Sequence, residues 1–207
     1  MATQQENDIK QWLDSGSINI FGRQFSGKDT QGRILCDLFD GVLLGGGEIL
    51  RNSVIPEHVM IQMHAGLLVP TKDYIDIVLP YLSRDILKGK PLILSAIGRR
   101  IGEEEGVIEA AKASHHPLKA VIYLKLDEDV ARERWHTLKE SADRGERQDE
   151  TLEALETRLQ EFRDKTIPVI EAYRALGLLI EVNANQSVES VTAEITSALA
   201  NRASTSP

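Results

Sequence analysis

The sequence is poor in cysteine, in basic relative to acidic residues, and in long hydrophobic runs. Cys36 is its single cysteine, which excludes an internal disulfide framework or a multi-cysteine zinc site and favours a reducing compartment. The 24 Lys and Arg residues face 32 Asp and Glu, a net charge of −8, which excludes a diffuse basic surface for nucleic acid or anionic membrane. Neither a signal-peptide pattern nor a run of ~18 apolar residues is present. We therefore expect a soluble, cytoplasmic, monomeric protein.

What the sequence does contain is a series of short apolar runs separated mostly by helix-like segments. Such alternation in 207 residues predicts one α/β domain with a parallel sheet flanked by helices. The runs are nearly continuously apolar, as strands buried on both faces must be. They are residues 18–21, 42–44, 92–97, 120–126 and 178–182. Ligands in such folds bind at the carboxyl ends of the strands.

Several helical segments accompany these runs. A short helix is predicted at 8–13, with Trp12 in the core, and longer ones at 127–139 and 149–174. Residues 48–90 and 135–146 are too long or too polar to be simple crossovers. We interpret both as mobile insertions.

A glycine-rich loop follows the first predicted strand and opens a helix. Its sequence, Gly22-Arg-Gln-Phe-Ser-Gly27-Lys28, has the Gly-x4-Gly-Lys pattern of phosphate-binding loops. Inward backbone N–H groups, the helix N-terminus and Lys28 would together hold the phosphates of ATP. A glycine-rich turn that happens to precede a lysine is the alternative, but the preceding strand favours a nucleotide loop. The predicted ATP ligands here are Phe25, Ser26, Gly27, Lys28, Asp29 and Thr30.

With its ending Lys28-Asp-Thr-Gln31, the loop resembles that of the adenylate kinase family of nucleoside monophosphate kinases. The resemblance continues in order along nearly the whole chain. Its further segments are Glu48-Ile-Leu-Arg51, Gly66-Leu-Leu-Val-Pro70, Leu94-Ser-Ala-Ile-Gly98-Arg99, Arg147-Gln-Asp-Glu150, Arg158-Leu159 and Thr166-Ile-Pro-Val-Ile170. It implies a P-loop kinase with a five-stranded parallel sheet, a monophosphate-binding insertion at about 45–75 and a short lid at about 135–147. The implied reaction is reversible transfer from Mg²⁺-bound ATP to AMP.

The resemblance also implies roles for particular residues. Two phosphorylated substrates repel each other, and arginines can screen that repulsion and stabilise the moving group. Arg51 and Arg99 would hold the monophosphate, while Arg134, Arg147 and Arg158 would close over the transferring group. The catalytic residues that the resemblance implies are Lys28, Arg99, Arg134, Arg147 and Arg158. The residues that it implies for binding the monophosphate are Gly46, Arg51, Leu67, Leu68, Val69, Arg99, Glu103, Arg147 and Arg158. It also adds Arg134 and Gln186 to the predicted ATP ligands. In isolation each arginine would be interpreted as a surface cation.

Several positions depart from the family pattern. Gly46 stands where the family has Thr, Ser95 where it has Asp, and Asp29 where it has Gly, which keeps open a nucleotide-binding relative with impaired turnover. Asp29 follows Lys28 in the slot where other P-loop proteins place a hydroxyl on Mg²⁺, so it is a candidate for the carboxylate that Ser95 lacks. Favouring the helix N-terminus is the alternative role for Asp29.

Glu103 stands where the family has a Gln that reads adenine. A carboxylate only accepts hydrogen bonds and matches guanine better than adenine, so AMP ranks first by resemblance and GMP second. The alternative places Glu103 in solvent with its neighbours in the charge run Glu103-Glu-Glu105.

The remaining candidates have weaker patterns. A further lid arginine of the family falls on Leu138 or Lys139, so Lys139 or Arg144 would replace it. His115 and His116 are interpreted as a solvated loop rather than a metal site. Cys36 is interpreted as a buried small side chain rather than a nucleophile.

Overall fold

A computed structural model describes residues 3–140 and 151–205, with only the backbone of residue 140 described. Its centre is a parallel sheet of five strands in the order β2-β3-β1-β4-β5. The strands are β1 Ser17–Gly22, β2 Val42–Gly45, β3 Leu92–Ser95, β4 Leu118–Lys125 and β5 Leu179–Asn183. Every residue of the central strand β1 is buried. The continuous apolar runs therefore form the predicted doubly covered sheet.

Ten described helices surround and extend the sheet. They are α1 Gln4–Leu13, α2 Lys28–Phe39, α3 Gly46–Arg51, α4 Glu57–His64, α5 Thr71–Val78, α6 Glu103–Ala113, α7 Glu128–Glu140, α8 Leu152–Glu161, α9 Ile167–Ala175 and α10 Val188–Thr205. A π-helical turn, Phe162–Thr166, joins α8 to α9. No helix in the described ranges has both the length and the apolar character that crossing a bilayer requires.

The sheet separates two sets of apolar contacts. Ile18 and Ile20 of β1 pack in one cluster with side chains of α1, α2 and α10. On the other side, Phe21 packs with residues of α9, and β3 packs with α3 to α6. Trp12 is half-buried against the first cluster, as predicted. Alternation of side chains along β1 thus supplies both faces.

Helix α7, Glu128–Glu140, matches the helix predicted at 127–139 to within one residue at each end. It therefore includes residues 135–140, where the lid was also expected to begin, because this segment keeps a helical pattern without a breaker. The rest of the predicted lid, including Arg144 and Arg147, lies outside the described residues. Helices α3, α4 and α5 fill the predicted insertion between β2 and β3, and the insertion as a separate unit stays a prediction.

Candidate active site

The glycine-rich loop turns at the carboxyl end of β1 and leads directly into α2. Phe25 and Gly27 have positive φ values of 64° and 84°, so two of three successive residues in the loop have left-handed backbone conformations. A Cβ on Gly22 would lie 2.2 Å from the Ser26 Oγ, which explains why glycine is needed where the loop folds back. Lys28 begins α2, at the helix end where backbone N–H groups attract phosphate.

A cleft of about 510 Å³ opens beside this loop. Many of the predicted site residues line it: Lys28, Asp29, Arg51, Leu67, Leu68, Val69, Arg99, Glu103 and Arg158. They come from the phosphate loop, the insertion, the turn after β3, and α8. The cleft thus brings together segments that are up to 130 residues apart in the sequence (28 to 158). Others, including Phe25, Gly46, Arg134 and Gln186, are not among its lining residues.

Asp29 and Ser95 contact each other across this cleft. The Ser95 Oγ donates a hydrogen bond to the Asp29 Oδ1 at 2.7 Å. Ser95 is the last residue of β3 and Asp29 lies in the first turn of α2. The carboxylate at position 29 therefore reaches the end of β3, where the resemblance implies an acidic residue.

The turn after β3 is fixed by a buried polar side chain that sequence reasoning missed. The Asn19 amide in β1 donates to the Ile97 carbonyl at 2.7 Å and accepts from the Ile97 N–H at 3.2 Å. Both polar groups of one residue in the turn are thus satisfied from the central strand. This pairing positions Arg99, which follows two residues later.

Arg99 and Arg158 concentrate positive charge at one wall of the cleft. Burial lowers the pKa of the Arg99 guanidinium, and the nearby charge of Arg158 lowers it further. Two guanidinium groups in such proximity are stabilised by a bound anion. Arg51 also lines the cleft and is exposed, with its guanidinium beside Gly47.

Arg100, which sequence reasoning also missed, binds the backbone of the insertion. Its Nε donates to the Val69 carbonyl at 3.1 Å and its Nη2 to the Leu68 carbonyl at 2.7 Å. These are backbone groups of two predicted monophosphate ligands. The signal available in the sequence was the doublet Arg99-Arg100, of which the family pattern marks only the first.

Glu103 points inward, so the alternative of a solvated side chain is wrong. Only 3% of the residue is exposed, and its Oε2 accepts from the backbone N–H groups of Arg99 and Arg100 at 2.8 and 3.0 Å. Its Oε1 has no hydrogen-bond partner in the described part of the chain. Glu104 is also buried, and its carboxylate accepts a hydrogen bond from the Gly102 N–H. The charge run thus caps a turn, and only Glu105 is exposed.

Arg134 and Gln186 lie beyond the cleft, near the end of the sheet. The Arg134 guanidinium donates to the Phe25 carbonyl at 3.1 Å and to the Ala184 carbonyl at 2.8 Å. It therefore joins the phosphate loop to the segment after β5. Gln186 donates to the Asn183 carbonyl and to Glu194. Their roles toward ATP stay predictions, as does that of Arg147, which lies outside the described residues.

Other candidates have structural roles. His116 is buried, with its Nδ1 2.7 Å from the Ser15 carbonyl, so a solvated loop is wrong for this residue. Partial burial raises the pKa of the Cys36 thiol to about 11, which makes a nucleophilic thiolate scarce. The described residues contain no cluster of three His, Cys, Asp or Glu side chains able to hold a metal.

The glycine-rich loop at the carboxyl edge of a five-stranded parallel sheet is the arrangement of a P-loop kinase fold. A gluconokinase from Sinorhizobium meliloti 1021 has this fold at a TM-score of 0.63, with 19% identity and coverage of 91% of this chain and 94% of that one. No family model matches the chain.

Curated relatives identify the family. The adenylate kinase of Synechococcus sp. (strain CC9311) is 32% identical over 186 residues, covering 87% of this chain and 97% of that protein. The adenylate kinase of Parasynechococcus marenigrum (strain WH8102) is also 32% identical, over 185 residues, with 87% and 96% covered. That of Prochlorococcus marinus (strain MIT 9211) is 28% identical, with 87% and 95% covered. The chain belongs to the adenylate kinase family.

Proposed function

We propose that this protein transfers the terminal phosphoryl group of ATP to a nucleoside monophosphate, with AMP as the first candidate acceptor. The observation that carries the proposal is that one cleft contains Lys28 of the phosphate loop together with Arg51, Arg99 and Arg158. A site that only bound ATP would need no second group of cations at the far side of the loop. Family membership favours AMP, which would give two molecules of ADP.

In the proposed transfer, the residues of the cleft have different roles. The phosphate loop and Lys28 hold the donor phosphates, and Arg51 and Arg99 hold the acceptor phosphate. Arg158, beside Arg99, stabilises charge on the group in transit. Positioning and charge stabilisation are sufficient for phosphoryl transfer, so neither a covalent intermediate nor a dedicated general base is required.

Asp29 and Ser95 would hold Mg²⁺ near the donor phosphates. Carboxylate and hydroxyl oxygens are suitable ligands or water-shell partners for this hard cation, and these two side chains are already within hydrogen-bonding distance. A bound Mg²⁺ would supply positive charge that offsets the negative charge of the donor phosphates. The paired oxygens beside Lys28 therefore fit the cofactor that the proposed reaction uses.

The deciding experiment is a coupled assay for ADP formation with ATP and each of AMP, GMP, CMP and UMP. Gluconate, the acceptor indicated by the name of the structural neighbour, serves as a different acceptor class. We expect turnover with a monophosphate and none with gluconate. Nucleotide binding without turnover of any monophosphate would instead support a relative with impaired catalysis.

Lys28→Ala tests the phosphate loop in the same assay. We expect a loss of several powers of ten in kcat with an unchanged melting temperature, because the variant removes a preorganised charge and no core contact; each factor of ten is ~1.4 kcal/mol. Lys88→Ala is the matched control, since Lys88 is exposed, forms an ion pair with Asp85 and does not line the cleft. Near-normal turnover by Lys28→Ala would contradict the assignment.

GMP is the second candidate acceptor, and the contacts of Arg100 and Glu103 favour it. Arg100 already donates to the carbonyls of Leu68 and Val69, the backbone expected to lie beside the base. The lining thus offers guanidinium N–H groups, which suit the guanine O6, and a carboxylate, which suits the guanine ring N–H and amino group. Adenine has no oxygen at that position and only one of those donors.

A further inference from the structure

Tyr74, a residue of the insertion, forms part of the wall of the cleft. It lies on α5, with only 7% of the residue exposed, and its ring packs among apolar side chains of the insertion and β3. The Oη accepts a hydrogen bond from the Gly98 N–H at 3.1 Å. The residue also lines the cleft together with Arg99.

The Tyr74 hydroxyl occupies the space that a side chain at position 46 would need. A Cβ built on Gly46 would lie 2.6 Å from the Tyr74 Oη and 3.4 Å from the adjoining ring carbons. Real Cβ atoms do not approach other atoms that closely. The position without a side chain, Gly46, is therefore the one that lies against the Tyr74 hydroxyl.

The Tyr74 hydroxyl is protonated and can donate a hydrogen bond. Burial raises the pKa of Tyr74 strongly, and the nearby negative charge of Glu103 raises it further. Because the oxygen already accepts from Gly98, its own O–H is left as a donor. Among the described residues, the hydrogen bond of this hydroxyl is the one that it accepts from Gly98.

We propose that the Tyr74 hydroxyl donates a hydrogen bond to the phosphate of the acceptor monophosphate, beside the guanidinium of Arg99. This inference rests on the proposed function, because it concerns the same cleft. It also gives a physical reason for the departure at Gly46: the hydroxyl that the resemblance implies at position 46 comes from position 74. Tyr74 is a binding residue for the acceptor and takes no part in binding ATP.

Tyr74→Phe tests the proposal, since it removes the oxygen and keeps the ring. We expect the KM for AMP, or for GMP if that is the better acceptor, to rise about ten-fold or more, as losing a hydrogen bond to a charged group implies. The KM for ATP should stay unchanged and kcat should change much less than the acceptor KM. Tyr81→Phe is the matched control, because its hydroxyl contacts the Ser53 Oγ at 3.0 Å and does not line the cleft.

Gly46→Ala tests the same hydroxyl without touching the tyrosine. Its methyl group must displace the Oη, so the acceptor KM should rise as in Tyr74→Phe. This variant keeps the test decisive if Tyr74→Phe folds poorly. An exchange, Gly46→Thr with Tyr74→Phe, places a hydroxyl at position 46 and should recover part of the acceptor affinity lost in Tyr74→Phe alone.

The possible outcomes separate this inference from the proposed function. An active wild type with an unchanged acceptor KM in both Tyr74→Phe and Gly46→Ala overturns the role of Tyr74 and leaves the proposed function standing. If the double variant Gly46→Thr with Tyr74→Phe has the same acceptor KM as Tyr74→Phe alone, Tyr74 does not supply the hydroxyl that the resemblance implies at position 46. A wild type that neither binds nor phosphorylates AMP or GMP overturns both.

Discussion

At the scale of single residues, the contact between Asp29 and Ser95 makes the dependence on Mg²⁺ the most direct test. Asp29→Gly removes the carboxylate, so the Mg²⁺ concentration for half-maximal rate should rise. Adding Ser95→Asp should lower it again, because the Ser95 Oγ lies 2.7 Å from the Asp29 Oδ1, so a carboxylate at position 95 can reach the same region at the end of β3. The measurement is the initial rate against Mg²⁺ concentration at fixed ATP.

The control for this series is Asp37→Gly on the same helix, which is exposed and does not line the cleft. If Asp29→Gly needs the same Mg²⁺ concentration for half-maximal rate as the wild type, the proposed role of Asp29 in holding Mg²⁺ is wrong. Asp29 would then only favour the N-terminus of α2.

A second prediction at the residue scale concerns Glu103 and the choice between AMP and GMP as acceptor. Glu103→Gln keeps an oxygen for the N–H groups of Arg99 and Arg100 and replaces the Oε1 by an N–H donor. We expect the ratio of kcat/KM for AMP to that for GMP to increase. The measurement is competition between the two monophosphates in one assay.

Glu104→Gln is the control for the base prediction, since Glu104 is a buried neighbour that caps Gly102 and does not line the cleft. Sharp preference for AMP in the wild type, with the same ratio in Glu103→Gln, would show that Glu103 has only its capping role.

Individual residues also show what the sequence could and could not predict. Lys28, Arg99 and Arg158 were found because each lies in a contiguous motif. Tyr74 and Arg100 were missed because their partners, Gly98 and Val69, lie 24 and 31 residues away and no local pattern encodes the contact. Glu103 lines the cleft, but its burial follows from two backbone N–H groups that only the folded turn presents.

At the scale of helices and strands, α8 holds the insertion against the body of the molecule. The Leu68 N–H donates to the Glu161 carboxylate at 2.9 Å, and Gly66 packs directly on the Ala154 carbonyl. Helix α8 also carries Arg158. The same element therefore positions the backbone proposed to bind the acceptor and the cation proposed to act in catalysis.

Gly66→Ala should reveal this contact in the free energy of unfolding. Gly66 has a φ of +78°, and a Cβ there would lie 2.8 Å from the Ala154 carbonyl oxygen. The unfavourable φ should cost about 1 kcal/mol and the overlap about 1–3 kcal/mol more. Urea denaturation measures the loss.

Gly89→Ala separates these two contributions. Gly89 has a similar φ of +70° and nothing within 4 Å of a built Cβ, so only the conformational cost of about 1 kcal/mol applies. Equal losses in the two variants would show that the close approach of Gly66 to α8 has no energetic weight.

At the same scale, the strands could be predicted and the helix ends only in part. All five strands fall within two residues of the predicted runs, because a doubly buried strand must be apolar throughout. The predicted helix at 149–174 appears as α8 and α9 with a π-helical turn between them, a change of winding that hydrophobic periodicity does not specify.

At the scale of the whole molecule, an acidic chain gathers six of its 24 lysines and arginines in one cleft. The net charge is −8, yet the cleft contains Lys28 and the arginines at positions 33, 51, 99, 100 and 158. The composition could predict that a polyanion must meet a local basic cluster, but only the topology assembles it. The strand order β2-β3-β1 brings the turn after β3 next to the phosphate loop after β1.

The state of Cys36 makes the whole molecule convenient for site-specific labelling. With a thiol pKa of about 11, only about one thiol in ten thousand is a thiolate at neutral pH, whereas an exposed cysteine has a few per cent. A cysteine introduced at an exposed position such as Ile61 on α4 would therefore react with a maleimide dye far faster than the native one. Paired with a second dye on α10, it would report the distance between the insertion and the sheet during turnover, without any need to replace the native cysteine first.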